Sequence, residues 1–74
     1  MNRKQISAVI RLKKALDACH AAGLIGGVFD CKFCAWPVGS VHPGDVPRSD
    51  YFAYIRRIGA IIDTRMNLDG GAGV

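Results

Sequence analysis

The segment from Ala22 to Val38, AGLIGGVFDCKFCAWPV, constrains the fold of this chain more than any other. Gly23 suits the left-handed backbone position that closes a helix, so a helix that precedes it ends there. Two short apolar stretches follow, Val28-Phe29-Asp30 and Phe33 to Val38, and Cys31-Lys32 separates them, which is typical of a β-hairpin. The segment therefore predicts a helix that is followed directly by two antiparallel strands.

The register of this hairpin is open to two interpretations. A turn centred on Cys31-Lys32 pairs Phe29 with Cys34, and a slip by one residue changes which faces match. Pro37 places the second strand at an edge of the sheet, or itself at the end of that strand, because proline has no N–H to donate. Trp36 then lies on an edge strand, and if it faces outward the hairpin offers a contact surface.

Helical periodicity is present on both sides of the hairpin. Residues 3–22 place five apolar side chains on one helix face, which predicts that this face packs against a core. Ser49 is a good N-cap for a second helix that ends at Gly59, and the β-branched residues of Ala60 to Asp63 predict a third strand. We expect an α+β fold of order helix-strand-strand-helix-strand, with two helices packed on one face of a small three-stranded antiparallel sheet. The apolar face of the first helix comprises Ile6, Val9, Leu12, Leu16 and Cys19.

The length of 74 residues predicts a single domain, which we place at residues 1–66, followed by a Gly-rich tail at 67–74. A chain this short buries only about 60% of the surface that it exposes when unfolded, so a partner, a metal or a second copy would add to its stability. No apolar run approaches the roughly 20 residues that span a bilayer, and the N-terminus lacks a signal-peptide core. We therefore predict a cytoplasmic protein without a membrane partner.

The cysteines raise the question of a metal. Three cysteines without an export signal argue against a disulfide framework. Cys31 and Cys34 have the C-x-x-C spacing of a zinc knuckle, and His20 and His42 are the candidates that complete a Cys2His2 site, so a zinc-stabilised module is one alternative. In the competing interpretation, Cys31 occupies a turn position where glycine would be easier and Cys34 is a small packed hydrophobe, with no cofactor.

Catalytic motifs do not stand out in the sequence. It contains no phosphate-binding loop, no nucleophile elbow and no paired catalytic carboxylates, and neither histidine has a carboxylate or nucleophile beside it in an interpretable pattern. We predict no catalytic residues and no enzymatic activity. The net charge of +4 permits an acidic partner, and a basic nucleic-acid-binding domain is an alternative function. Its contact residues would be those on the outer arc of the first helix, Arg3, Lys4, Arg11 and Lys14.

A protein partner is the first expectation. Phe52 lies away from the apolar side of the second helix and one turn from Arg56, a combination typical of interface hot spots. The loop at residues 39–48 has a length at which function is often found. An open sheet and a small core also favour a homodimer. The predicted partner-binding residues are Phe52, Arg56, Trp36, His42 and Asp45.

Three segments of the sequence resemble small proteins encoded by bacteriophages and prophages. They are LDACHAAGLIGGVFD from Leu16 to Asp30, the FCAWPV that follows it, and the closing LDGGAGV. The resemblance spans most of residues 12–74 and implies no role for any single residue. It implies a compact accessory protein in the cytoplasm of a bacterial host, which binds and blocks a host factor such as a defence component. We therefore expect a non-enzymatic interaction protein, an inhibitor or adaptor of a host protein.

Overall fold

Two helices and three strands follow one another in the predicted order in a computed structural model, which describes residues 1–70. Both strand pairs are antiparallel, and the order in the sheet is β1-β2-β3. The α+β class and the element order are therefore confirmed. The elements are α1 (Arg3–Ala21), β1 (Leu24–Phe29), β2 (Lys32–Pro37), a short 3₁₀ helix (Pro43–Asp45), α2 (Tyr51–Ile58) and β3 (Ala60–Ile62).

Helix α1 is defined by local signals at both ends. The Asn2 side chain accepts a hydrogen bond from the backbone N–H of Gln5 at 2.9 Å, and the Gln5 side chain accepts one from the backbone N–H of Asn2 at 2.9 Å. This capping box satisfies two N–H groups that have no partner within the helix. At the other end Gly23 has a φ of 78°, which is the left-handed conformation that a closing glycine adopts readily.

The hairpin turn lies one residue earlier than the first of our two interpretations places it. Asp30 and Cys31 have positive φ angles of 52° and 61°, as a two-residue type I′ turn requires. Phe29 pairs with Lys32, and Cys34 pairs with Gly27, so the pairing of Phe29 with Cys34 is wrong. The physical reason is that Asp tolerates the left-handed region better than most residues, because its short side chain can hydrogen-bond locally.

Strand β2 is the central strand, so the prediction that Trp36 lies on an edge strand is also wrong. Pro37 is the last residue of β2, where its missing N–H costs little. Trp36 is only 2% exposed, which excludes the outward orientation. It belongs to a cluster of five buried residues that fills the space between the sheet and α2 and forms the core. The members are Phe29, Cys34, Trp36, Tyr51 and Ile55.

The connection between α2 and β3 runs directly against β2. Helix α2 ends at Gly59, and a Cβ atom at that position would overlap the backbone carbonyl oxygen of Ala35 and lie 2.9 Å from the Cα of Trp36. Only glycine allows this close approach of two backbones. It places Ile55 and Tyr51 over the core face of the sheet.

Helix α1 does not pack as we expected. None of its residues is buried, and among the helices and strands of residues 1–70 it contacts only β1, the strand that follows it. Because α2 already covers the core face, the apolar face of α1 has nothing to pack against there. The molecule is accordingly elongated, at 42 × 26 × 15 Å. Its radius of gyration is 13.6 Å, against about 11 Å for a compact domain of this length. The hairpin, α2 and β3, with the segments that connect them and the chain up to Gly70, form a separate unit, residues 22–70, that we call the folded lobe.

The described part of the predicted tail contacts the hairpin. Leu68 is partly buried, and the carbonyl oxygen of Gly70 accepts a hydrogen bond from the backbone N–H of Cys31 at 3.2 Å. Residues 71–74 of the tail lie outside the described residues. Within residues 1–70, neither helix combines the length and hydropathy needed to cross a bilayer.

Candidate interaction surface

The predicted surface on α2 is less exposed than the sequence suggested. Phe52 is partly buried and packs against the core, with its ring centroid 4.6 Å from that of Tyr51. Phe52 is therefore not the freely exposed aromatic that a hot spot beside Arg56 would need, whereas Arg56 itself is exposed. Trp36, in the core, cannot contribute to a contact surface at all. Of these three residues, only Arg56 remains a surface candidate.

His42 and Asp45 form a local turn. The Nδ1 atom of His42 accepts a hydrogen bond from the backbone N–H of Gly44 at 2.9 Å, and its backbone carbonyl accepts one from the N–H of Asp45 at 2.9 Å. The imidazole ring also lies edge-on to Trp36, with centroids 5.6 Å apart, and edge-on to Phe29 at 6.1 Å. These contacts give His42 a structural role, since its ring covers the edge of the core.

The four predicted zinc ligands are not brought together. Cys31 is exposed at the hairpin turn, whereas Cys34 is fully buried on the core face. His20 lies in the last turn of α1, near the opposite end of the hairpin, and His42 covers the core edge. Among residues 1–70, no three His, Cys, Asp or Glu side chains form a group that could hold a metal ion.

The Cys34 thiol lies in an apolar environment. Burial raises the pKa of this thiol above its ordinary value of 9.0, and the positive charges of Lys32 and Arg56 offset only part of that rise. Cys34 packs in the core as a small hydrophobic residue.

A shallow cleft lies where β3, the tail and the hairpin turn meet. It has a volume of about 370 Å³, and its rim carries the side chains of Lys32, Arg56 and Asp63. The exposed Cys31 and the apolar Met66 complete part of its lining. The cleft is open to solvent, and its two cations face a single carboxylate.

The largest apolar surface outside the core belongs to α1. Its large aliphatic side chains are each between 43% and 51% exposed. We call one face of α1 the apolar stripe, and it consists of the five residues that the sequence predicted to face a core. These are Ile6, Val9, Leu12, Leu16 and Cys19. Ile10 lies about 40° beyond Ile6, between the stripe and the cations on the other side of the helix, and is not part of the stripe.

The charge of the molecule is concentrated on the same helix. Helix α1 contains five of the ten Lys and Arg residues and one of the six acidic residues, so its net charge of +4 equals that of the whole chain. The remaining residues carry five positive and five negative charges and are neutral overall. Four of the cations lie opposite the apolar stripe and are exposed. We call them the basic arc, and they are Arg3, Lys4, Arg11 and Lys14.

A second apolar surface lies on the sheet. Because strand side chains alternate between faces, the residues between the core positions point away from α2. Phe33, in the centre of this face, pairs with Val28 of β1 and with Ile62 of β3. Phe33, Val28 and Ala35 remain partly exposed, and Ile62 is 45% exposed. These four residues form what we call the open face.

Comparisons with known proteins give no family for this chain. No protein-family model matches it, and neither a curated protein nor a solved structure does. The arrangement of its own residues is therefore the basis for a functional proposal.

Reasoning from the sequence identified the residues of the apolar stripe, but it predicted that they pack against a core of the same chain, and none of them is buried. Periodicity shows that a helix has an apolar face, but it does not show whether the same chain covers that face. A signal was nevertheless present, because α1 alone contains the excess positive charge. The basic side of such a helix stays in solvent or meets an anionic molecule, because burying its charges in a core would be costly.

Proposed function

We propose that this chain is a non-enzymatic interaction protein, of the inhibitor or adaptor kind, that binds an acidic surface of another protein through the basic arc of α1. The observation that carries the proposal is the separation of charge and core. The folded lobe contains every buried residue of the described chain and no net charge, whereas α1 contains no buried residue and the entire net charge.

The electrostatics of α1 support this assignment. The only ion pair among residues 1–70 joins Lys13 to Asp17, so no carboxylate on the described chain pairs with the basic arc. Four exposed cations on one side of a helix attract an acidic surface and speed its association. Aspartate and glutamate on a partner would supply carboxylates that do not pair with the basic arc within residues 1–70.

Nucleic acid is the second candidate, because phosphates would satisfy the same four cations. Sequence-specific recognition also requires side chains that contact base edges. Within the basic arc the helix offers only Ser7, because Gln5 lies on the opposite side and its side chain caps the helix. If all four cations contact duplex phosphates, the logarithm of the binding constant falls against the logarithm of salt concentration with a slope of about −3.6.

Photo-cross-linking from the basic arc tests the proposal in cells of the native host. A photoreactive amino acid at Ser7, which lies within the arc, is expected to give a discrete covalent adduct with one protein. The same probe at Val41, an exposed position on the folded lobe, is expected to give none. The Arg11→Gln/Lys14→Gln variant should reduce the yield of the Ser7 adduct several-fold, because it removes two charges that contact the partner.

A matched variant controls for the loss of charge in general. Arg48→Gln/Arg65→Gln removes the same number of exposed cations from the folded lobe and should leave the adduct unchanged. Adducts of equal yield from Ser7 and Val41, or a yield that does not respond to Arg11→Gln/Lys14→Gln, would contradict the proposal. An adduct that nuclease treatment removes would replace the protein partner with nucleic acid.

A further inference from the structure

We infer that the apolar stripe of α1 is covered by a second copy of this chain, in a reciprocal dimer in which each α1 lies across the open face of the other copy. The inference is independent of the proposed function, because it concerns the side of α1 opposite the basic arc. It starts from two apolar surfaces of one chain that are both uncovered. One is the apolar stripe of α1, which no sheet covers, and the other is the open face, which no helix covers.

The charges around the apolar stripe suit a second copy better than an acidic partner. Lys13 is the only Lys or Arg on the stripe side of α1, between Ile6 and Val9, and its Nζ lies 2.7 Å from Oδ2 of Asp17 on the same helix. The stripe side is thus neutral, and the basic arc points away from it. Two chains of charge +4 can therefore approach through this side of α1 without placing their cations side by side.

The open face offers a complementary surface. Phe33 lies at its centre, between Val28 and Ile62, and none of these side chains contributes to the core on the other side of the sheet. A helix of 19 residues is about 28 Å long, which is enough to cross three strands that lie about 4.8 Å apart. A helix on each side of a sheet is the common way to bury both faces.

The chain also needs additional buried surface. Five buried residues make a small core for a chain of 74 residues, and domains of this size commonly gain stability through self-association. When each copy places its α1 on the other copy, the interface is twofold symmetric and self-complementary. The dimer contains this helix-to-sheet contact twice, and we expect dissociation constants in the micromolar range.

Sedimentation velocity on the full chain across a micromolar concentration series tests the inference. The wild type is expected to change from the mass of one chain to the mass of two as its concentration rises. Leu12→Gln/Leu16→Gln should remain a monomer throughout, because it places two polar amides in the apolar stripe while keeping good helix formers. Ile10→Gln is the matched control and should dimerise like the wild type, since Ile10 is 51% exposed but lies outside the stripe.

The open face is tested separately. Phe33→Thr should also remain a monomer, and Ile62→Thr should weaken dimerisation without loss of fold, because Ile62 is 45% exposed. Emission from the buried Trp36 reports whether each variant is folded. A mixture of Leu12→Gln/Leu16→Gln with Phe33→Thr should form a heterodimer weaker than the wild type, because one intact stripe still meets one intact open face.

Several outcomes would overturn the inference. One is a wild type that stays monomeric at the highest concentration, and another is a dimer that persists in Leu12→Gln/Leu16→Gln. A folded Ile62→Thr variant that dimerises as well as the wild type would exclude the open face. A mixture that forms no heterodimer would overturn the reciprocal arrangement, and a folded Phe33→Thr variant that dimerises like the wild type would show that the two copies pair helix to helix.

Discussion

The Trp36→Ala variant is expected to lose a large part of the protein's stability at 25 °C. Trp36 is 2% exposed and contacts Phe29, with ring centroids 5.6 Å apart, and His42 at the same separation. Truncation of a buried Trp costs about 3–5 kcal/mol, because the side chain leaves a cavity that the surroundings fill only in part. A domain of this length has a free energy of unfolding of roughly 4–11 kcal/mol. Urea unfolding followed by far-UV circular dichroism measures the loss.

The cross-strand neighbour of Trp36 provides its control. Ile25 pairs directly with Trp36 but is 41% exposed at the edge strand. Ile25→Ala should lower the free energy of unfolding by about 1 kcal/mol or less, because the side chain is not part of the core. Equal losses in the two variants would contradict the placement of the core between α2 and β2.

Gly59→Ala is expected to destabilise the folded lobe by about 3 kcal/mol. The added Cβ would overlap the carbonyl oxygen of Ala35 and approach the Cα of Trp36 to 2.9 Å. Both are backbone atoms of the central strand, so neither can rotate away as a side chain would. The α2–β3 connection would have to move off β2, which separates Ile55 from the rest of the core. The free energy of unfolding in urea gives the magnitude.

Gly26→Ala is the matched control for this substitution. A Cβ at Gly26 would also meet an atom at 2.9 Å, but that atom is Cζ of Phe33, the far end of a partly exposed side chain. The ring can shift by a few tenths of an ångström, so the expected loss is below about 1 kcal/mol. A Gly59→Ala variant as stable as Gly26→Ala would show that the α2–β3 connection does not approach β2 so closely.

The sequence predicted the elements of the fold well because each has local signals. The capping box of Asn2 and Gln5 fixes the start of α1, and Gly23 and Gly59 mark the ends of the two helices. The hairpin was predicted from two apolar stretches that a short polar break separates. Its register was not determined, because the choice between Asp30-Cys31 and Cys31-Lys32 as the turn depends on small differences in backbone preference.

The parts of the fold that could not be predicted depend on contacts between distant residues. The strand order decides that Trp36 is central and buried, and no local pattern of the hairpin specifies which strand β3 joins. The apolar stripe of α1 predicted a buried face, but periodicity does not distinguish a core of the same chain from another molecule. Phe52 was predicted to be an exposed contact residue, but it is partly buried, because it packs against the core from the side of α2. Such a contact between distant residues has no local signal in the sequence.

The claim on which the account depends is that α1 belongs to no core within its own chain and is a binding element. The most direct measurement is the free energy of unfolding of Leu12→Gln/Leu16→Gln, compared with the wild type at a concentration where both are monomers. We predict values that agree to within about 0.5 kcal/mol, because both side chains are already exposed in the monomer. A loss of about 2 kcal/mol or more for each side chain would be the cost of removing a buried Leu. That result would show that α1 packs against its own folded lobe, and it would contradict the account.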